Sequence, residues 1–505
     1  MKKSILCLTL LLSTSIEAFS QPQVHPDDIP NINPDQYRID QKDIQRAQQL
    51  IESPLTTPIA FPNPHPDAQW FPSGSFGLFM HWGIHTVDGI QPSWNMIRHY
   101  KYAGKNPHTV KEYYAMADKF NPTKTPDRYL QAAKDAGCTY AVMTTRHHDG
   151  YALWPSKYGY GIKQYLPHRD LIKEYVDGCH KANLRVGLYY SPRDWHYPGA
   201  KATTFFNDSL RHLVPAITDS AANYREYVKF IGYVMRQLEE LLTNYGKIDV
   251  LWLDGIDWNG IIENNSEKIY AWIRTLQPGI VINDRWANIV NPDNPDGTSV
   301  PVGDFTTPYE CRLPSYVPSK WWEHEDLWTT GGGWGYDPKG KFRTLDWLLE
   351  HLVYTRSLGG NFLANAGPAP DGDMHPNYYI EIEKLKEWMR YGKESVIDAC
   401  ASPGMHLSNV PLTSRGNDTI YAHVLKKSSN QVSLITARCP KRILLLRTGE
   451  TIPFVHRDDV LYFKLQKEQR TLTDDVVKNH FKQCLEPSLH EQPSRSLQCS
   501  LPSHS

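Results

Sequence analysis

Several stretches of the chain put reactive side chains where an apolar run ends. In TTRHHDGYALW, His147, His148 and Asp149 follow the run Tyr140 to Met143. In DVLWLDG, Asp254 follows Leu251, Trp252 and Leu253, and in VINDRW, Asp284, Arg285 and Trp286 follow Val281 and Ile282. FGLFMHWG ends the same way at His81-Trp82, and RVGLYYS at Tyr189-Tyr190-Ser191. One His or Asp at a strand end is ordinarily a helix cap or a satisfied loop residue. Five such ends, each with hydrogen-bonding or aromatic groups, imply one shared edge with a binding site on it. Trp, Tyr and His rings beside acids and a guanidinium suit a sugar. Aromatic faces pack on its C–H surfaces, while His, Asp and Arg bond its hydroxyls.

Cleaving a glycosidic bond needs two carboxyl groups, one ionised and one protonated. Asp254 is expected to be the nucleophile, because VLWLD places it at the end of a wholly buried strand. The acid must come from another strand or loop. Glu310, in GDFTTPYE, is preferred, on the expectation that a mobile loop aimed by Pro308 brings it against the leaving group. Glu323, in KWWEHED, is the alternative acid/base, since two preceding tryptophans could raise its pKa; otherwise it would hold that loop by ion pairing. A metal site could be drawn from His81, His147, His148, Asp149 and Asp254. Adjacent histidines on an extended strand point to opposite faces, however, and no HxH or HExxH spacing occurs, so neither metal nor cofactor is expected.

The elements that must carry these residues follow a rhythm. From Ser75 onward, apolar runs alternate with amphipathic stretches such as PDRYLQAAKDAG, DLIKEYVDGCHKAN and EKIYAWIRTL. Such alternation indicates a parallel sheet covered by helices. At least six strand candidates favour a closed (β/α)8-like barrel over an open doubly wound sheet, and no GxGxxG or GxxxxGK[ST] follows the first strand. In a barrel of this kind the C-terminal strand ends form the active site. Beyond IEIEKLKEWMRYG, short runs such as YAHVLKK, QVSLITA and RILLLRT are separated by Gly, Asn and Ser, which predicts a small antiparallel β-sandwich. The expected division is a signal peptide over 1–20, an N-terminal extension over 21–66 with a helix near Gln41 to Glu52, the barrel over 67–392, the β-sandwich over 393–468 and a loose tail over 469–505.

Composition sets outer bounds. Lys+Arg 54 against Asp+Glu 55 gives a net charge of −1, which offers no electrostatic attraction for nucleic acid or an anionic membrane. Lys2-Lys3, the apolar run Ile5 to Leu12 and the Ala18-Phe19-Ser20 end fit a cleaved secretory signal, so export is expected, to the periplasm or medium if the source is bacterial. That run is too short to span a bilayer, and no membrane span is expected. Removing Cys7 from 8 cysteines leaves an odd number without regular spacing, which is not a disulfide framework. Cys138 and Cys179 are expected to be buried spectators. A homo-oligomer is compatible with the sequence.

FGLFMHWG, TTRHHDGYALWPSKY, RVGLYYSPRDW, VLWLDG, NDRW and SLGGNFLANAGPAPDG resemble, in order, the landmarks of the α-L-fucosidases of glycoside hydrolase family 29, over about Trp70 to Ser395. The resemblance implies a barrel with a C-terminal β-sandwich, a retaining double displacement, and hydrolysis of terminal α-L-fucosyl residues from fucosylated oligosaccharides or glycoconjugates. By position, Asp254 matches the family nucleophile. His81, His147, His148, Tyr189, Trp252 and Arg285 match residues lining the fucose pocket, and Glu310 falls where the family keeps its acid/base. One departure stands out. Many relatives have Glu-Trp after the first strand, both touching the sugar, whereas here Ser93 precedes Trp94. Losing that carboxylate leaves room for an L-galactosylated substrate, whose sugar differs from L-fucose by a hydroxyl on C6. The same departure motivates a reading from another class, a carbohydrate-binding protein on a decayed hydrolase scaffold. Turnover of an aryl glycoside separates the two.

Overall fold

The computed structural model describes residues 27, 31–97, 102–104, 106–198, 220–255, 266–286, 302–331, 333–397, 399–402, 407–471 and 473–481. The expected signal peptide lies outside these residues. Helix α1 (Gln41–Glu52) takes the span read from the sequence, and a short α2 (Val110–Ala115) follows strand β1 (Phe76–Met80). The helix–strand rhythm then unfolds as α3 (Asp127–Asp135), β2 (Tyr140–Arg146), α4 (Leu171–Lys181), β3 (Arg185–Tyr190), α5 (Ser220–Thr243), β4 (Val250–Leu253), α6 (Ser266–Leu276) and β5 (Val281–Ile282). Strands β6 (Phe305–Glu310) and β7 (Trp321–Leu327) come next, then a small hairpin of β8 (Thr329–Thr330) and β9 (Lys341–Phe342). Helix α7 (Leu345–Ser357) leads into β10 (Asn361–Asn365).

Helix α4 illustrates the local logic. Asp170 caps it by accepting the Lys173 N–H at 2.9 Å, and Leu171, Ile172, Tyr175, Val176 and Cys179 share its buried face at helical spacing. The eight parallel strands run β5-β4-β3-β2-β1-β10-β7-β6. A parallel bridge between Asn283 and Phe305 brings the two outer strands together and closes the barrel. Gly303 permits that approach, since a Cβ there would meet the Asp284 backbone at 2.7 Å. Alternate residues of the strands fill two separate layers. Phe79, Tyr140, Val142, Tyr189, Trp252 and Leu363 pack inside, while Leu78, Met80, Ala141, Met143, Val186 and Leu188 pack against the helices.

After α8 (Pro376–Val396), strands β11 (Cys400–Ala401), β12 (Leu412–Arg415), β13 (Thr419–Leu425), β14 (Gln431–Ile435), β15 (Pro440–Leu445), β16 (Phe454–Arg457), β17 (Val460–Lys464) and β18 (Asp474–Phe481) form a five-stranded sheet, β11-β12-β13-β18-β15, and a three-stranded one, β14-β17-β16. Their apolar faces meet in a core that includes Leu412, Val424, Val432, Leu434, Ile443 and Phe463. The tail expected from 469 is corrected here. Asp474–Phe481 is an inner strand of the five-stranded sheet, paired with both β13 and β15. Among the described residues, no helix is long and apolar enough to cross a membrane. Cys138 and Cys179 are buried and free, whereas Cys400 is disulfide-bonded.

Candidate active site

A cavity of about 330 Å³ opens at the C-terminal end of the barrel strands. His81, Trp94, His147, His148, Tyr189, Trp252, Asp254, Arg285 and Glu310 all border it. Asp254, just past β4, accepts the Tyr189 hydroxyl on Oδ2 at 2.8 Å and the Arg285 Nε–H on Oδ1 at 3.0 Å. Burial works to raise its pKa, but the Arg285 charge and the Tyr189 bond outweigh burial and hold the carboxyl below its usual range. It is therefore ionised, as a nucleophile must be.

An aromatic wall stands behind it. Tyr189 stacks on His147 (5.5 Å, 4°) and on Trp252 (5.5 Å, 17°), and the Arg285 guanidinium lies 4.9 Å from the Trp252 ring. His147 meets Ser93 Oγ at 2.6 Å through Nδ1, and His148 meets Ser191 Oγ at 2.7 Å through its own Nδ1. Burial, then their charged and imidazole neighbours, push both histidines well below their ordinary pKa, so both are neutral hydrogen-bonding groups. His81, held by Asn365 at 2.8 Å, is lowered by burial to about 4. Trp94 sets its ring edge-on to His148 and Trp195. Ser93 is buried, with its hydroxyl committed to His147 and to the Asp149 N–H.

Arg285 serves three carboxyl groups. Besides Asp254, its Nη1 lies 3.1 Å from Glu310 Oε2 and 3.3 Å from Glu325 Oε1. Side-chain exposure falls from 44% for Glu310 to 17% for Asp254 and 1% for Glu325, so the three occupy successive depths.

Three expectations change in the folded chain. Glu310 is not on a mobile loop: it ends β6, in register with Glu325 of β7. Glu323 makes no contribution to the pocket wall and does not hold a loop by ion pairing. It lies inside the barrel one layer down, bonded to the Tyr140 hydroxyl at 2.5 Å and the Trp252 indole N–H at 2.9 Å. Burial, eased by those two bonds, raises its pKa to about 7. Finally, His147 and His148 do not face opposite ways. Strand β2 ends at Arg146 after a register shift, the alternation of an extended strand stops there, and the two rings sit 4.1 Å apart. One nitrogen of each and an Asp254 oxygen lie within 4.8 Å of one another.

The sequence reading missed Phe79, Gln91, Tyr102, Arg193, Glu325 and Trp334, which also border the cavity. Glu325 had a signal: it lies two residues beyond Glu323, on the same face of any strand through WWEHEDL. Gln91 and Trp334 had none, since their contact, Trp334 N–H to Gln91 Oε1 at 2.9 Å, joins loops far apart in the chain.

An eight-stranded parallel barrel with acids, histidines and stacked aromatics at its C-terminal mouth, followed by a β-sandwich, is the architecture of a glycoside hydrolase. Comparison with known proteins names the family. The α-L-fucosidase family matches residues 44–394, and the chain belongs to that family. The tissue α-L-fucosidase of Mus musculus is 28% identical over 351 residues, covering 66% of this chain and 71% of the mouse protein. An α-L-fucosidase of Branchiostoma floridae is 26% identical over 422 residues, covering 77% and 86%. Among solved structures, α-L-fucosidase isoenzyme 1 from Paenibacillus thiaminolyticus is 28% identical with a TM-score of 0.69, covering 83% of this chain and 99% of that one. A GH29 α-L-fucosidase from Bacteroides thetaiotaomicron shares the fold at 24% identity and a TM-score of 0.71, covering 85% and 98%.

Proposed function

We propose that the protein is an exported exo-acting α-L-fucosidase that retains anomeric configuration, with Asp254 as nucleophile and Glu310 as acid/base. The observation that carries the reading is the ionised Asp254, gripped by Arg285 and Tyr189 inside a cavity of about 330 Å³ at the barrel mouth. Asp254 attacks the anomeric carbon while Glu310 gives a proton to the departing glycosidic oxygen. Glu310 then takes a proton from the water that releases the sugar from Asp254. Depth supports this division of labour. The leaving group of an exo-enzyme exits through the mouth, where the more exposed Glu310 stands beside Arg285. For a Bacteroides thetaiotaomicron GH29 enzyme of 24% identity, a covalent intermediate was trapped with 2-fluoro-fucosyl fluoride in a Glu→Gln variant. His81, Trp94, His147, His148, Tyr189, Trp252 and Arg285 would hold the sugar. No metal is assigned a role, because Asp254 already has Arg285 and Tyr189 as partners. Export is supported by the disulfide at Cys400, which needs an oxidising compartment.

The deciding experiment is hydrolysis of 4-nitrophenyl α-L-fucoside followed by NMR. Release of the α-anomer first is expected, and release of the β-anomer first would overturn retention. An α-L-galactosidase is the second reading, favoured by the buried Ser93 in place of a sugar-binding carboxylate. Faster turnover of the aryl α-L-galactoside than of the fucoside would establish it. Binding of either sugar without turnover would instead identify a decayed lectin-like scaffold.

A further inference from the structure

Glu325 is the carboxyl group that the reaction above leaves without a task. It lies on the inward face of β7, is 1% exposed, and borders the cavity below Asp254 and Glu310. Oε1 lies 3.3 Å from Arg285 Nη1, while Oε2 is buried with no hydrogen-bond partner among the described residues. Glu323, two residues earlier on the same face, differs in one decisive respect: both of its oxygens are engaged, by Tyr140 and Trp252. A buried polar atom without a partner is rare in folded proteins and calls for a ligand or a water.

We propose that Glu325 is the deep hydroxyl-binding residue of the sugar pocket, pairing through Oε2 with one hydroxyl of the bound L-sugar. The inference rests on the glycosidase reading of this cavity and adds a specificity determinant to it. Burial, opposed by Arg285 but reinforced by the charges of Glu310, Glu323 and Asp254, holds the Glu325 carboxyl well above its ordinary pKa. The group is therefore a neutral acid, which both donates and accepts, as a hydroxyl does. A sugar lacking the matched hydroxyl would bury Oε2 unsatisfied, and sites of that kind reject the deficient analogue strongly.

Titration calorimetry tests this independently of turnover, with L-fucose, its 2-, 3- and 4-deoxy analogues and L-galactose as probes. On the wild type, one change of hydroxyl (loss at a ring carbon, or gain on C6) should alter affinity by about 30-fold or more, and in Glu325→Leu the same change should matter less than about 3-fold. Glu325→Gln, which can still donate and accept, should keep affinity for the preferred sugar within about tenfold and serves if the leucine variant does not fold. If every hydroxyl change has the same effect in wild type and variants, or if none of the sugars binds, the assignment is wrong. It is also wrong if Glu325→Gln slows poor leaving groups selectively, since Glu325 would then be the acid. Coupling at one hydroxyl without hydrolysis of any aryl glycoside would sink the glycosidase reading and leave the Glu325 assignment standing.

Discussion

The inward face of β7 carries two glutamates at two depths, and they behave as opposites. On the barrel floor, Glu323 is enclosed and fully bonded by Tyr140 and Trp252. At the mouth, Glu310 and Glu325 share one arginine with Asp254. Three acids on one guanidinium is an arrangement that stability alone does not favour, since one arginine cannot satisfy all three and the buried Glu325 carboxyl is held protonated beside its neighbours. The floor is built to stay folded; the mouth keeps charge and unused hydrogen-bonding capacity for a substrate. Changes at the mouth should therefore alter rate, and changes on the floor should alter stability.

The largest expected effect is at the nucleophile. Asp254→Asn should lower kcat by about 10⁴-fold or more while sugar binding persists, and azide should restore part of the rate by forming a glycosyl azide. Wild-type-like turnover in that variant would remove Asp254 from the mechanism. Next comes Glu310→Ala, expected to cost about 10²–10⁴-fold on a natural disaccharide but far less on a dinitrophenyl glycoside, whose aglycone leaves unaided. Equal losses on both substrates would break the assignment, and the leaving-group pattern in Glu323→Ala instead would reverse it.

On the floor, the expected signature is pH-dependent stability. Burial raises the Glu323 pKa to about 7 in the folded chain, above the value near 4.5 of an unfolded glutamate. Between those values the folded state binds the proton more tightly, so this contribution is complete below about pH 4.5 and fades as pH rises through about 7. That difference corresponds to about 3 kcal/mol. Urea unfolding at several pH values should find that loss in the wild type and a flatter profile in Glu323→Gln, whose turnover per folded molecule stays within a few-fold. A steep loss of kcat in Glu323→Gln would erase the distinction between floor and mouth. The smallest effect is that of exhaustive EDTA treatment, which should leave the rate unchanged. Loss of activity restored by Zn²⁺ would give His147, His148 and Asp254 a metal to hold, since their ligand atoms converge within 4.8 Å.

How legible each part was depended on whether local chemistry agreed with its surroundings. Strands β1 to β4 each carry a continuous apolar run (FGLFM, YAVM, VGLYY and VLWL), so their period and the reactive residues that follow stood out together. Strand β7 reads WWEHEDL, with acids or a histidine at four of its seven positions, and resembles a polar loop until neighbouring strands and α7 enclose it. Strand β18, DDVVKNHF, was hidden in the same way, because its burial depends on β13 and β15 rather than on its own composition.

By itself, then, the sequence determined the alternation of helices and strands, the barrel it implies and the residues gathered at one edge, because each follows from periodicity and residue type over short windows; the family followed from the resemblance of its motifs. Tertiary structure decided which acid stands where. Depth in the barrel separates Glu310, Glu325 and Glu323, a register shift after Thr144 turns His147 and His148 toward the same cavity, and Arg285 ties Asp254 to two strands distant in the chain. Those relations arise from closing eight strands into a ring, and no local window of sequence contains the closure.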